Sequence, residues 1–484
     1  MQSIWSQEIS ISQHGPLNNN IETDTAVIGG GLAGILIAYF LQQRGIPVVV
    51  LEAGRIGSGQ TRNTTAKITS QHNLIYSKLI RNFGIERARQ YAQANQAAIH
   101  AYRKIIQERH IDCDFEAIPA YLYTCTNPDL LKQEAEAAQC LGINANFTQE
   151  INLPFSVKGA VRFEDQAQFH PLKFLSNISE EVTVYEQTNV RTVDGNLLHT
   201  NHGNVKARHI VFATHYPFVN FPGMYFARMH QERSYVLALR HAQQLDGAYL
   251  GIDDDGCSFR NAGDLLLLGG GSHRTGINQA GGQYEALQKN AQIWYPNSTE
   301  VARWSAQDCI PIDDVPYIGR FARSKPNWFV ATGFQKWGMT SSMVAATLLP
   351  DLIRGQPNAY AEVFSPQRFY LRASAKKLSA NIGQFTKSLA KRAFGTPDLT
   401  LDKLPKEHGG VVSANGKKVG AYKDKTGKVY LVSVRCPHLG CELAWNPEER
   451  SWDCPCHGSR FDYTGKRISG PAQTDITLHA EPTK

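Results

Sequence analysis

The sequence predicts an α/β nucleotide-binding fold with an inserted antiparallel sheet, followed by a small all-β module. Three features carry that prediction: a glycine-rich strand–turn–helix–strand near the start, alternating apolar segments through the middle, and two short Cys/His runs close to the end. A chain of 484 residues has room for two or three domains at about 150 residues each, and a hydrophobic share of 42% supplies their cores. The net charge of +7 is modest and no arginine-rich run with interleaved aromatics occurs, so nucleic acid is set aside as a partner. Residues 1–20 are polar and lack the apolar centre of a secretory signal, which makes a cytoplasmic location the expectation. The most apolar stretch, Ala26 to Leu41, is too short to span a bilayer and is interrupted by three consecutive glycines.

Thr23 to Val27 reads as the end of a buried strand that runs through Gly29-Gly30-Gly31-Leu32-Ala33-Gly34 into an apolar helix, Ile35 to Gln43. A second strand, Val48 to Leu51, ends on Glu52 and Ala53. This is G-x-G-x-x-G in its full strand–helix–strand setting, with an acid about 20 residues on. Gly29 permits the tight turn, Gly31 lets the backbone approach a pyrophosphate, and Gly34 lets the helix pack closely on the strand. The helix N-terminus offers N–H groups and a positive dipole end to the phosphates, while Glu52 suits a ribose hydroxyl pair. The fingerprint does not separate FAD from NAD. Residues 57–67 help, because they form a hydroxyl-rich loop of small residues, with Ser58, Thr61, Arg62, Thr64 and Thr65, too polar for a core.

On these residues the chain resembles the D-amino-acid oxidase and glycine oxidase superfamily of FAD enzymes, over roughly residues 22–365. The resemblance implies that the hydroxyl-rich loop wraps the pyrophosphate and one flavin edge. Asp165-Gln166-Ala167-Gln168-Phe169-His170-Pro171 is similar to the family segment leading into a helix, here Leu172 to Ser176. A three-strand pattern around Val190, ending at Ala213-Thr214, resembles the part that closes beneath the adenine. Pro311 to Gly319 matches the family's P-x-D-x-x-P-x-x-G. Val330-Ala331-Thr332-Gly333 then runs into Gly338-Met339-Thr340 and an apolar helix. In the family that helix points its N-terminus at the flavin pyrimidine oxygens, where its dipole stabilises the charge of the reduced ring.

Ala120 to Cys125, Ser234 to Leu239 and Leu265 to Gly269 alternate as strands do, which predicts an antiparallel sheet over the cofactor. The family places substrate between that sheet and the flavin, and often holds a carboxylate with arginine. Arg233, Arg260 and Arg274 are the candidates here, with Tyr235 and His273 beside them, although a solvated arginine is the commoner fate. Lys336 and Trp337 precede the flavin-facing helix and join Arg274 and Tyr235 as the catalytic candidates. Related sarcosine oxidases carry lysine near the position of Thr340, and its absence counts against a sarcosine-like substrate. His72 follows the flavin loop; a structural histidine is favoured over a covalent flavin link.

From Pro366 to Lys406 the composition turns basic. Lys376, Lys377, Lys387, Lys391 and Arg392 alternate with Leu378, Ile382, Phe385, Leu389 and Phe394 at helical spacing, and prolines 397 and 405 mark the end. A linker helix packed on one or both domains is favoured over a membrane-surface helix, because the apolar face is narrow and broken by Gly383.

Cys436, His438, Cys454 and His457 read C-P-H-L-G-C and C-P-C-H-G-S, two pairs that each mix sulfur with nitrogen. A 2Fe–2S cluster with two imidazoles on one iron needs that division of labour. Zinc is the alternative, but zinc sites usually pair Cys with Cys and His with His. Residues 405–480 closely resemble the Rieske domain of respiratory complexes. The resemblance implies a disulfide between Cys441 and Cys456, a hydroxyl of Ser459 that donates to a cluster sulfide, and a covering proline loop at Gly470-Pro471-Ala472. Phe461 stands where those proteins have tyrosine, so one donor is missing and the potential should be lower. The other five cysteines show no pairing rhythm, and most read as small buried residues.

The expected architecture is thus a Rossmann-like FAD-binding domain with an inserted antiparallel-sheet substrate subdomain, plus a small all-β Rieske domain. Residues 1–365 form the oxidoreductase, with nucleotide segments near 22–75, 155–220 and 300–355 and a substrate subdomain near 76–154 and 221–299. Residues 366–404 form the linker helix and 405–484 the Rieske domain. FAD and a Rieske 2Fe–2S cluster on one chain imply a dehydrogenase of an amine or amino-acid-like small molecule. Hydride would pass to FAD, and single electrons through the cluster to an external protein or quinone. Three rivals stand beside it: an oxidase making hydrogen peroxide with a regulatory cluster, reverse flow from cluster to flavin, and a non-enzymatic redox sensor or carrier. A Rieske oxygenase is disfavoured, because no histidine pair with a nearby acid offers the mononuclear iron triad.

Overall fold

The computed structural model describes residues 2–397 and 399–478. Residues 479–484, the end of the segment assigned to the C-terminal domain, lie outside the described residues, as does the side chain of Phe394.

The N-terminal fingerprint folds as the strand Ile21–Ile28, the helix Leu32–Gln43 and the strand Val48–Leu51. These open an eight-stranded sheet in the order Tyr317–Ala322, Lys325–Thr332, Asn204–Phe212, Ile21–Ile28, Val48–Leu51, Val184–Tyr185, with a hairpin of two further strands, Val190–Asp194 and Leu197–Thr200, on one flank. Its central pairings are parallel, which explains why Ala26, Val27, Val50 and Val211 are apolar in unbroken runs and fully covered. The helix Leu32–Gln43 is buried along most of its length and packs against the helix Gly338–Ile353, so both glycine-rich helix starts come to the same edge of the sheet.

A nine-stranded sheet forms the second layer, with Met229–Arg240 between Thr299–Pro311 and Leu265–Arg274. It is antiparallel apart from Ala248–Gly251, which runs parallel to Glu116–Thr124. Two segment boundaries differ from the expectation. Gly159–Gln168 and Thr299–Pro311 had been placed in the nucleotide segments, yet both are strands of this second sheet. Their family motifs lie at the C-terminal ends of the strands, whereas membership is set by ladders such as the twelve-residue register of Met229–Arg240 against Thr299–Pro311. Likewise, part of segment 76–154 serves the nucleotide side. The helix Ile85–Glu108 packs on Gly338–Ile353, and the Tyr102 hydroxyl donates to the Met339 carbonyl at 2.9 Å.

The P-x-D motif anchors the chain end of this region. Asp313 receives a two-pronged contact from Arg368, Nε at 2.8 Å and Nη2 at 2.9 Å, with both side chains buried. An Arg368→Lys chain keeps the charge but loses the fork. It should be about 1–3 kcal/mol less stable, read from the midpoint of a denaturant titration.

The basic segment forms the helix Leu371–Phe394, which touches both neighbours. Lys377 pairs with Asp314 on one side, while Lys391 pairs with Glu442 at 3.3 Å on the other. Beyond it come two four-stranded antiparallel sheets, one built on His408–Ala414 and Lys417–Lys423, the other on Ser451–Asp453 and Arg460–Asp462; the short first strand, Leu399–Thr400, pairs parallel. Among the described residues no helix is long and apolar enough to cross a membrane. Cys113, Cys257 and Cys309 are buried, while Cys125 and Cys140 are exposed.

Candidate functional site

Where the first sheet meets the second, a cavity of about 500 Å³ opens beside the glycine turn. Gly29, at φ +111°, can take this turn because it has no Cβ; an added one would meet the Ala213 carbonyl at 2.6 Å. Gly31 shows bare backbone to the cavity, and the Leu32 N–H at the helix start is held by the Thr61 hydroxyl at 3.0 Å. Glu52 accepts the N–H of Gly30 at 2.6 Å and of Gly54 at 2.7 Å, which fixes its carboxylate in the cavity wall. Burial raises its pKa against the pull of those two donors.

Of the sequence candidates, Gly29, Gly31, Glu52, Ala53, Ser58, Thr61, Thr64, Val190, Ala213, Thr214, Gly338 and Met339 line this cavity. The rest stand behind it. Gly34 lies under the turn and Gly333 packs on Pro311, where a Cβ would come within 2.7 Å. The Thr65 carbonyl accepts Arg260 at 2.7 Å, and the Thr340 hydroxyl donates to the Thr69 carbonyl at 3.1 Å. The Arg62 carbonyl accepts the Ser3 hydroxyl. No side chain caps the helix at Gly338, so its first N–H groups face the cavity mouth. Bare glycine backbone, two helix starts and an anchored acid fit a dinucleotide of the FAD type.

The substrate candidates divide. Lys336 lines the cavity and its ammonium meets the Ser272 hydroxyl. Trp337 does not line it; the indole stacks on His72 with ring centres 4.7 Å apart. His72 is buried, bonds to the Tyr91 hydroxyl at 2.6 Å, and burial drives its pKa down to about 3. Arg274 and Tyr235 require correction as cavity residues. Arg274 Nε donates to the Pro455 carbonyl at 3.0 Å and Nη2 to that of Cys456 at 3.3 Å, so its fork is used by the C-terminal domain. Tyr235 is fully buried and bonds to His273 at 3.0 Å. Arg233 pairs with Glu449 at 2.8 Å, and Arg260 serves the Thr65 and Ala66 carbonyls. All three arginines are therefore committed to the protein itself.

Asp308, absent from the candidates, does line the cavity. Its strand places it opposite Glu232, and burial pushes its carboxyl up to about 7, with Lys336 pulling the other way. A lone acid inside the otherwise uncharged run Trp304 to Pro311 was the available signal.

The second site forms from two loops that close alike. In the first, the Gly440 N–H reaches the Cys436 carbonyl and the Cys436 N–H the Cys441 carbonyl, both at 2.9 Å. In the second, the Gly458 N–H reaches the Cys454 carbonyl at 2.9 Å and the Cys454 N–H the Ser459 carbonyl at 2.8 Å. Gly440 and Gly458 both take positive φ, +80° and +74°, which lets each loop turn back on its own cysteine. The loops are tied by a disulfide between Cys441 and Cys456. Cys436 and Cys454 carry free, buried thiols placed side by side within hydrogen-bonding reach, and His438 Nδ1 faces His457 Nδ1 at 3.2 Å. Burial lowers the pKa of both imidazoles, which keeps them neutral as ligands must be. Two thiols on one side and two ring nitrogens on the other fit a Rieske-type diiron cluster. The Ser459 hydroxyl is fully buried beside Cys436 and accepts the Ala472 N–H at 3.0 Å.

The two sites adjoin. Tyr216 lines the cavity, and its ring centre lies 6.3 Å from that of His457. Gln231 donates to the His457 carbonyl at 2.6 Å, Gln307 to that of Gly458 at 2.8 Å, and Asn220 meets His438 Nε2 at 2.6 Å. Nothing in local sequence pattern flags these contacts.

Comparison with known proteins agrees with both sites. Residues 24–352 match the family described as DAO, FAD dependent oxidoreductase, and residues 397–480 match the Rieske [2Fe-2S] domain. The putative Rieske 2Fe-2S iron-sulfur protein YhfW of Bacillus subtilis is 38% identical over 97% of this chain and 96% of its own. Gamma-glutamylputrescine oxidoreductase of Escherichia coli is 22% identical over 71% of this chain and 86% of its own. Among solved structures, glycine oxidase from Geobacillus kaustophilus superposes with a TM-score of 0.62 at 21% identity, covering 72% of this chain and 99% of that one.

Proposed function

This chain belongs to the FAD-dependent oxidoreductase family and carries a Rieske [2Fe–2S] domain behind it, and from that premise we propose that it is a dehydrogenase of a cationic amine or amino-acid-like substrate. Bound in the two sites, FAD supplies hydride acceptance from a C–H bond beside nitrogen and the cluster supplies one-electron transfer to an external protein or quinone. The observation that carries the reading is the contact of Tyr216, in the cavity wall, with the cluster ligand His457. A relay from flavin to cluster needs this proximity, with the His457 ring 6.3 Å from that of a cavity residue.

The residues divide the work. The glycine turn, Thr61 and Glu52 would hold the nucleotide, and the N-terminus of Gly338–Ile353 would offer its dipole to the negative charge of a reduced flavin bound there. The sheet provides the substrate wall. Among the described residues, Asp308 lies in that wall with Glu232 opposite it on the neighbouring strand, while Arg233, Arg274 and Lys377 are paired elsewhere and the Lys336 ammonium meets the Ser272 hydroxyl. A carboxylate wall of this kind binds an ammonium group and shields it from water. The resemblance to gamma-glutamylputrescine oxidoreductase supports this substrate class.

Anaerobic mixing with a panel of amines and amino acids, followed by flavin absorbance and the cluster EPR signal, tests the reading. Flavin bleaching followed by cluster reduction is expected; a cluster that stays oxidised beside fully bleached flavin would sink it. Asp308→Asn should lower kcat/KM for the best amine roughly thirtyfold, as expected for about 2 kcal/mol from a buried charge contact. Because the Asp308 carboxyl titrates at about 7, it is neutral below that pH and ionised above. Wild-type kcat/KM should therefore rise through pH 7, and the asparagine chain should lack that inflection. An unchanged pH profile would remove Asp308 from the substrate contact.

A further inference from the structure

The segment that covers the cluster loops has a second face. Arg467, Ile468, Ser469, Gly470, Pro471 and Gln473 line the same cavity as Gly29, Glu52 and Val190, although some 250 or more residues of sequence separate the two groups. Between Pro471 and Gln473, Ala472 does not line the cavity but is buried in the apolar core that also holds Cys436, Cys441, Cys454 and Cys456. Its N–H binds the Ser459 hydroxyl at 3.0 Å. One loop is thus shared by both cofactor sites.

Its cavity face carries groups with nothing in the protein to bond. The Ser469 hydroxyl and the Gln473 amide oxygen are shielded from solvent and have no hydrogen-bond partner. Buried polar atoms left unpaired cost free energy unless a ligand satisfies them. Arg467 is held to the loop by a bond from Nη1 to the Ala472 carbonyl at 3.1 Å, and its charge is felt by Glu52 and Asp475. Glu52 marks the ribose region of a dinucleotide. Ile468 adds an exposed apolar side chain to the same wall, suited to the face of a purine.

We propose that the loop Arg467–Gln473 of the C-terminal domain forms part of the FAD site, with Arg467, Ser469 and Gln473 binding the adenosine half of the cofactor, so that FAD binding and cluster retention are thermodynamically coupled. The proposal rests on the assignment of the cavity to FAD. Coupling must be reciprocal: FAD that orders the loop holds the cluster in, and an intact cluster strengthens FAD binding.

The test titrates deflavinated, cluster-loaded protein with FAD, followed by calorimetry, with iron content measured on each sample. Arg467→Ala should weaken FAD binding about tenfold or more, since it removes a charged donor, with iron per chain unchanged. Gln473→Ala and Ser469→Ala, which leave the Ala472 contact in place, read the same wall if Arg467→Ala loses iron. In the wild-type chain, iron loss to a chelator should be at least about fivefold slower with FAD bound than without. Wild-type affinity in all three variants would overturn the binding role, and equal rates of iron loss would overturn the coupling. A wild-type protein that binds no FAD would overturn the cavity assignment itself.

Discussion

A His457→Ala chain, assayed with FAD in excess, is expected to accept electrons from substrate and fail to pass them on. His457 is one of two imidazoles whose Nδ1 atoms meet at 3.2 Å, and its ring lies beside Tyr216 of the cavity wall. As a proposed ligand, its loss would leave one iron short of a nitrogen donor, and even partners outside the ligand set are worth roughly 10–100-fold in metal affinity. Iron and acid-labile sulfide should fall well below two per chain, the Rieske EPR signal should vanish, and acceptor-linked turnover should drop more than about 100-fold. Anaerobic flavin bleaching should stay within a few fold of wild type, because the substrate wall, Asp308 and Lys336, lies on other strands and loops. That split separates a relay from its rivals. Equal loss of both half-reactions would mean that the cluster domain only supports the fold, and unchanged acceptor reduction would mean that electrons leave the flavin by another route.

How much of this was legible beforehand follows from the range of the interactions. The two cluster loops are closed by bonds between residues a few positions apart, such as Gly440 to Cys436 and Gly458 to Cys454, and the glycine turn is tied to Leu51 and Glu52, which the strand–helix–strand spacing of the fingerprint brings beside it. Sequence spacing encodes such geometry directly, so the fingerprint, the mixed Cys/His runs and the fold class could be read from it. Arg274 could not. Its partners, the carbonyls of Pro455 and Cys456, stand more than 180 residues away, and no local pattern distinguishes an arginine for substrate from one for an interface. The same holds for Tyr235, whose partner His273 arrives through strand pairing, and for Thr299–Pro311, assigned to the wrong sheet because its motif is at its end. Asp308 lies between these cases: its isolation among uncharged neighbours was visible, but its place in the cavity wall depended on the sheet register.

The other large effect concerns Gly34. In Gly34→Ala, the new Cβ would sit 1.9 Å from the Gly29 carbonyl oxygen and 3.4 Å from Val27. The first of these is backbone and cannot swing aside, so the helix Leu32–Gln43 must lift off the strand Ile21–Ile28. That helix is buried on nearly all sides and packs against Gly338–Ile353, so lifting it strains the core and moves both helix starts at the cavity. Overpacking alone costs about 1–3 kcal/mol, and here it acts on the turn itself. The expected product holds no measurable FAD and melts at a lower temperature than the wild-type apoprotein. Gly31→Ala supplies the contrast. Its Cβ would meet only the Thr61 hydroxyl, at 3.3 Å, while the position faces the cavity. That chain should melt like wild-type apoprotein and still bind FAD poorly, because the methyl group occupies the approach of the pyrophosphate. Two alanines three residues apart would thus separate packing from ligand contact. Normal FAD content in Gly34→Ala would mean that the turn tolerates a shift of more than an ångström, and the fingerprint reading of this segment would fail.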